Sequence, residues 1–205
     1  MSQGLFLTRL RGLTYDPPVI APVGTPLAEW ITPERFLVDA DPVETPPLFR
    51  VLLTSDGSMT TLLESLRLGP IDLEVIRQGE EPIDTETALR LGVRPREAAI
   101  TRHVWLSHAG QRLLYAVSVL PTSHLDATLA EGILRGVEPL GRLLDACGRP
   151  AVRDHLRIGR LQNATLANAL GAAPSDRLWC RTYRLAVEHT LTASIVEVFS
   201  PRLVE

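Results

Sequence analysis

Two ionisable residues stand where apolar ones are expected. Along a strand, alternate side chains share a face. In the run LTASIVEVFSP this sets Glu197 beside Leu191, Ala193, Ile195 and Phe199, and in TRHVWLSHAGQRLLYAVSVLP and the residues before it, Arg102 falls between Ile100, Val104 and Leu106. A charge turned into a core must be paired or hydrogen-bonded, because leaving it bare costs an amount comparable with the stability of a small domain. A cation and an anion so placed suggest an internal site for a small polar ligand. A guanidinium grips a carboxylate through its planar fork, and a carboxylate accepts a hydrogen bond from a hydroxyl or takes a proton. The same pattern suits a buried ion pair, either between the two residues or with a partner in WCRTYRL. Within that strand Arg181 and Arg184 lie on opposite faces, so at most one turns inward with Arg102. Arg77 shares a face with Ile71, Leu73 and Val75 and is a candidate second inward cation, set against the solvated position usual for an arginine near a strand end.

Backbone groups add to this chemistry. GSMTT and EPLGR each place a turn before a helix, so the amides near Met59 and Leu140 lack intrahelical acceptors and attract carboxylates, although side chains or water cap most such ends. The five histidines, His103, His108, His124, His155 and His189, show no metal-ligand spacing, and no HExxH motif or cysteine cluster occurs. His103 and Trp105 alternate with Arg102 and are predicted on the opposite, partly exposed face. GxGxxG, GxxxxGK[ST] and GxSxG are absent, which argues against the nucleotide enzymes and nucleophile-elbow hydrolases that carry them.

Composition narrows the class further. The chain has 205 residues, enough for one substantial core, with 45% hydrophobic and 22% charged residues, ordinary globular values. A net charge of −3 leaves no electrostatic footprint for nucleic acid. All 21 basic residues are arginine, so a Schiff-base lysine has no place in the chemistry. Cys147 and Cys180 read as reduced, buried thiols. The first residues lack the apolar stretch of a secretory signal and no run matches a membrane span. A soluble, cytoplasmic protein is expected, a monomer or weak homodimer that binds a small molecule.

The elements that must position these groups follow from pattern. Residues 1–46, rich in Pro, Asp and Thr, are predicted as an irregular arm with a short helix near PLAEWI, and 47–205 as the domain. A helix begins at Pro47 in PPLFRVLLTSD; a second runs through MTTLLESLRLG from an N-cap at Ser58, with Met59, Leu62, Leu63 and Leu66 as its stripe and Gly69 as its stop. A strand covers Ile71 to Gln78, a short helix capped by Asp84 follows, and segments 97–108 and 111–120 form a hairpin at Ala109-Gly110. SHLDATLAEGILRG and EPLGRLLDAC read as helices, the first with Leu125, Leu129, Ile133 and Leu134 inward. AVRDHLRIGRLQ reads as an alternating strand, NATLANALG as a short helix, and the remainder as two strands joined near Glu188-His189. Strands arriving in hairpins predict an α+β fold, a single largely antiparallel sheet with helices on one face.

DGSMTTLLE, TRHVWLSHAGQRLLYAVSVLP, PLGRLL, RIGRL, LWCRTYRL and VEVFSP, in this order and spacing, resemble the chorismate pyruvate-lyases, or 4-hydroxybenzoate synthases, over roughly residues 48 to 201. LWCRTYRL and EVFSPRL look closer to the cyanobacterial branch. The resemblance implies helical flaps over an internal cavity and conversion of chorismate into 4-hydroxybenzoate and pyruvate without cofactor or metal, for quinone or aromatic natural-product synthesis. It assigns the ring carboxylate to Arg102 and the amides of Met59 and Leu140. Glu197 takes the ring hydroxyl, as a base or as an orienting acceptor. Val117 departs from the family, where an arginine is common, so the second carboxylate of chorismate falls to Arg77 or Arg181. The alternative is a non-enzymatic module like the effector domains of some bacterial transcription regulators, although the first 46 residues cannot supply the helix-turn-helix those carry.

Overall fold

The computed structural model describes residues 30–204 apart from 42, 68, 147, 149–150 and 188–190. Its elements run α1 (Pro33–Asp39), α2 (Pro47–Thr54), α3 (Met59–Arg67), β1 (Asp72–Pro82), α4 (Thr85–Leu91), β2 (Ala98–His108), β3 (Gln111–Pro121), α5 (Ala127–Arg135), α6 (Leu140–Ala146), β4 (Ala151–Gln162), α7 (Ala164–Ala169), β5 (Arg177–Val187) and β6 (Leu191–Phe199). The six strands form one antiparallel sheet in the order β1-β2-β3-β6-β5-β4. The α+β architecture expected from hairpin-delivered strands is thus the one observed.

Local chemistry explains the joins. Ala109 and Gly110 both have positive φ, the geometry that matches a two-residue turn to the twist of β2 and β3. Asp84 and Asp126 cap α4 and α5 by accepting from the amides of Thr87 and Leu129. Gly92 and Gly136 end the same two helices in the left-handed region. The turn expected at Glu188-His189 lies outside the described residues, but its flanks, Val187 and Leu191, face each other in register.

One sheet face carries most of the core. Phe49, Leu52, Leu53, Met59 and Leu63 of α2 and α3 meet Leu106, Leu114 and Phe199, and Leu129, Ile133 and Leu144 of α5 and α6 meet Ile100, Leu120, Ala193 and Ile195. Leu66 and Leu134, expected in these helix stripes, are exposed instead, because each falls at the margin of the arc its helix buries. The other face is also covered. Leu166 and Ala167 of α7 pack with Trp105, Tyr115, Val117 and Cys180, while Ala88 of α4 meets Ala99. Trp105 is therefore buried rather than partly exposed, and burial pushes the Cys180 thiol up to about 12, which keeps it protonated. Cys147 lies outside the described residues.

Part of the expected arm is built into the domain. Ile31 pairs with Ile158, and α1 inserts Phe36 edge-on against Trp179. The helix expected near PLAEWI falls largely outside the described residues. Among the described residues, no helix is long and apolar enough to cross a membrane.

Candidate active site

Between the sheet and the starts of α3 and α6 lies a cavity of about 80 Å³. Arg102, Arg153 and Glu197 are its charged lining residues, with Ser118 and Tyr183 among the polar ones and Val104, Leu106, Leu185 and Ile195 among the apolar ones. The strand register explains the gathering: Arg102 faces Ser118 on β3, Ala116 faces Glu197 on β6, and Glu197 faces Arg181 on β5. These four inner strands present one side of their pleat to the same space, and Leu73 of β1 and Arg153 of β4 join them.

Arg102 is 2% exposed. Its Nη2 donates to the carbonyl of Glu138 at 3.0 Å, and its Nε is buried without a partner. Burial lowers its pKa from the ordinary arginine value. A guanidinium held dry with a donor unused is poised for an anionic acceptor.

Glu197 is 5% exposed and already partnered. Arg181, fully buried beneath it, donates from Nε to Oε2 at 2.5 Å, and Tyr183 donates its hydroxyl to Oε1 at 3.1 Å. The buried-pair reading of the sequence is thus true of Glu197, with Arg181 as partner, while Arg102 stays outside the pair. Arg181 Nη1 also donates to the carbonyls of Leu52 and Ser55, at 2.8 and 2.7 Å, tying Glu197 to the segment that leads into α3. Its Nη2 has no partner, but Arg181 is not part of the cavity lining. Burial, and then the charge of Glu197, raise the Tyr183 pKa well above the ordinary tyrosine range, so its phenol remains a donor. A carboxylate that accepts one bond on each oxygen keeps lone pairs for a third donor from the cavity.

Met59 and Leu140 are the first residues of α3 and α6 and both line the cavity. The helices converge there: a Cβ on Gly141 would stand 3.3 Å from Ser58 Oγ, and Arg142 of α6 forms an ion pair with Glu64 of α3. Two sets of amides without intrahelical acceptors border one end of the cavity.

Three expectations about the second cation are corrected. Arg77 does not point inward, because a bulge between Val75 and Arg77 inserts Ile76 and reverses the faces, so Arg77 lies opposite His103 and pairs with Glu81. Arg181 points inward but is committed to Glu197 and two carbonyls. Val117 faces away from the cavity, packed with Trp105, Tyr115 and Val198, so an arginine there would not reach it.

The cation that pattern reading missed is Arg153. Counting by twos from buried Ile158 puts Leu156, Asp154 and Val152 inward and Arg153 outward. A bulge between Asp154 and Arg157, centred on His155 with φ of 53°, adds one residue and inverts the strand. Val152 turns out and Arg153 turns in, with Nη1 donating to the carbonyl of Asp56 at 3.1 Å and a buried Nε lacking a partner. Tyr183, also missed, was legible as the next residue along the face of Arg181.

Comparison with known proteins agrees with this architecture. The family described as chorismate pyruvate-lyase, Rv2949c-like, matches residues 53–205. A probable chorismate pyruvate-lyase of Halorhodospira halophila is 31% identical over 176 residues, 78% of this chain and 84% of the relative. One from Pseudomonas putida is 26% identical over 93% of this chain and 95% of its own length. Among solved structures, PhnF of Mycobacterium smegmatis superposes with a TM-score of 0.58 at 15% identity, over 72% of this chain and 65% of that one. The ligand-binding domain of a GntR-family regulator from Bordetella bronchiseptica gives 0.54 at 18% identity, over 64% and 84%. These two likenesses speak for the fold.

Proposed function

The chain belongs to the Rv2949c-like chorismate pyruvate-lyase family, and from that premise we propose that it converts chorismate into 4-hydroxybenzoate and pyruvate in the cavity between the sheet and α3 and α6. The observation that carries the reading is that a buried, underused guanidinium at Arg102 and an anchored carboxylate at Glu197 line the same cavity. A ring acid with a hydroxyl opposite its carboxylate satisfies both at once.

The reaction is an elimination. The C4–H and C3–O bonds break, the ring becomes aromatic, and the enolpyruvyl group leaves as pyruvate, so atoms and electrons balance without water, oxidant or reductant. Arg102 and the amides of Met59 and Leu140 hold the ring carboxylate through charge-assisted hydrogen bonds. Glu197 accepts from the C4 hydroxyl. Its rigid support by Arg181 and Tyr183 suits it to hold the substrate in a reactive conformation. The C4 proton goes either to Glu197 or directly to the enolpyruvyl methylene, and Glu197→Gln separates the routes. With Glu197 as base, turnover falls by orders of magnitude while product affinity changes little. With Glu197 as an orienting acceptor, both fall together and modestly.

The test of the reading is incubation of the purified protein with chorismate, following pyruvate and 4-hydroxybenzoate together. Equimolar release of both, without added cofactor and undiminished by EDTA, is expected. Tight binding of 4-hydroxybenzoate with no turnover would replace the lyase by a non-enzymatic binding module.

A further inference from the structure

We infer that Arg153 anchors a second carboxylate, so that the cavity selects dianions: ring acids that carry a further carboxylate on an ether arm. The inference deepens the lyase reading and rests on it for the identity of the ring acid. The cavity charge supports the dianion by itself.

Of the charged residues that line the cavity among the described residues, Glu197 is neutralised from behind by Arg181. Arg102 and Arg153 remain, each with a buried Nε that has no partner and each with an Nη bonded to a backbone carbonyl rather than to a carboxylate. Among the described residues neither Arg102 nor Arg153 has a carboxylate partner, and two such cations around one small cavity favour a ligand with two negative charges, because a single anion on buried Arg102 leaves half-buried Arg153 unmatched.

Placement along the sheet agrees with this. In the order β2-β3-β6-β5-β4, Arg102 enters from one side, Glu197 from the middle and Arg153 from the far side. Chorismate presents the same sequence of groups: the C1 carboxylate, the C4 hydroxyl across the ring, and beside that hydroxyl the C3 ether arm ending in a carboxylate. The other candidates are excluded by position. Arg77 lies on the opposite face, Val117 is apolar and packed away, and Arg181 is shielded behind Glu197.

Two inert ligands isolate the second charge. 3-(Carboxymethoxy)-4-hydroxybenzoate carries both carboxylates around a ring hydroxyl, and 3-methoxy-4-hydroxybenzoate lacks only the second. Binding is measured by calorimetry on the wild-type protein, Arg153→Gln and Arg153→Lys. The wild type is expected to prefer the dicarboxylate by roughly tenfold or more. Arg153→Gln should abolish that preference while leaving monocarboxylate affinity within about threefold, which also reports a folded site. Arg153→Lys should retain part of the preference. No preference in the wild type, or a preference that survives Arg153→Gln, would overturn the assignment. Neither ligand can turn over, so a wild type that binds them as expected but fails to release pyruvate from chorismate would reject the lyase reading and leave the Arg153 site standing.

Discussion

The two edge strands of the sheet, β1 and β4, each contain one bulge beside an arginine, and the bulges act in opposite senses. In β1 the extra residue Ile76 turns Arg77 away from the cavity, where it pairs with Glu81. Burial first, and the Arg77 charge after it, then hold His103 below its ordinary pKa. In β4 the extra residue near His155 turns Arg153 toward the cavity and Val152 toward solvent. An edge strand tolerates an inserted residue because one of its sides pairs with no neighbour. A single inserted residue exchanges the faces of everything beyond it. Register at the two edges therefore decides which edge arginine joins the cavity, Arg153 rather than Arg77, while Arg102 and Glu197 come from the inner strands β2 and β6.

The largest expected effect tests the centre against the edges. Arg181→Met removes the cation paired with Glu197 while keeping much of the side-chain volume, leaving a carboxylate buried without that counter-charge. A loss of about 3 to 5 kcal/mol in urea denaturation is expected. Adding Glu197→Gln should recover a substantial part of it, since the double change leaves no bare charge. Arg153→Gln, at the edge and half-buried, should cost far less stability. Equal losses at Arg181 and Arg153 would remove the distinction between an anchored centre and an adjustable edge.

Arg102→Lys comes next. An ammonium cannot reproduce the fork that a ring carboxylate meets, so 4-hydroxybenzoate affinity should fall by about 2 to 5 kcal/mol, measured by calorimetry. Near-normal affinity would displace Arg102 from the site. The melting temperature serves as the control, because the wild-type guanidinium has no carboxylate partner to lose.

How much of this was legible in the sequence depends on the same register argument. Arg102 and Glu197 were found because β2 is regular from Ile100 to Leu106 and β6 is regular throughout, so period-two counting survives from one apolar neighbour to the next. The hairpin at Ala109-Gly110, the caps at Asp84 and Asp126, and the helix starts at Met59 and Leu140 were legible because each depends on local chemistry. Arg77 falls on the other face from the one expected, and Arg153 escapes notice, because a bulge is a change in counting that residue types barely announce. At His155 the only trace is a non-glycine residue of a kind that tolerates positive φ. Val117 was misread for a different reason. A family pattern does not say which face of β3 a position occupies, and it is the neighbours Ala116 and Ser118 that line the cavity.

The packing of Val117 against Trp105, Tyr115 and Val198 yields a further expectation. Val117→Arg should not improve chorismate binding. It should instead destabilise the protein by several kcal/mol, on the order expected for a charge forced among Trp105, Tyr115 and Val198. Tighter chorismate binding in this variant would show that β3 presents its other face to the ligand.

The β4 bulge itself can be weighted through its backbone. His155 occupies the left-handed region at φ of 53°, where a β-branched side chain is strained and glycine is not. His155→Val should destabilise by about 1 to 3 kcal/mol and, if the strand responds by shedding the bulge, should also erase the dicarboxylate preference. His155→Gly should keep the preference. Loss of the preference in both variants would mean that the imidazole, rather than the backbone conformation, positions Arg153.

The smallest effect belongs to the opposite edge. If the β1 bulge has removed Arg77 from the cavity, Arg77→Ala deletes only an exposed ion pair with Glu81, and such pairs contribute about 0.2 to 1 kcal/mol. Its KM for chorismate should be unchanged, and because the Arg77 charge acts on the imidazole, the His103 pKa should rise. NMR titration of His103 and steady-state kinetics on the one variant then read the two faces of β1 separately. A higher KM with an unmoved His103 would put Arg77 on the cavity side and make β1, not β4, the strand that supplies the second cation.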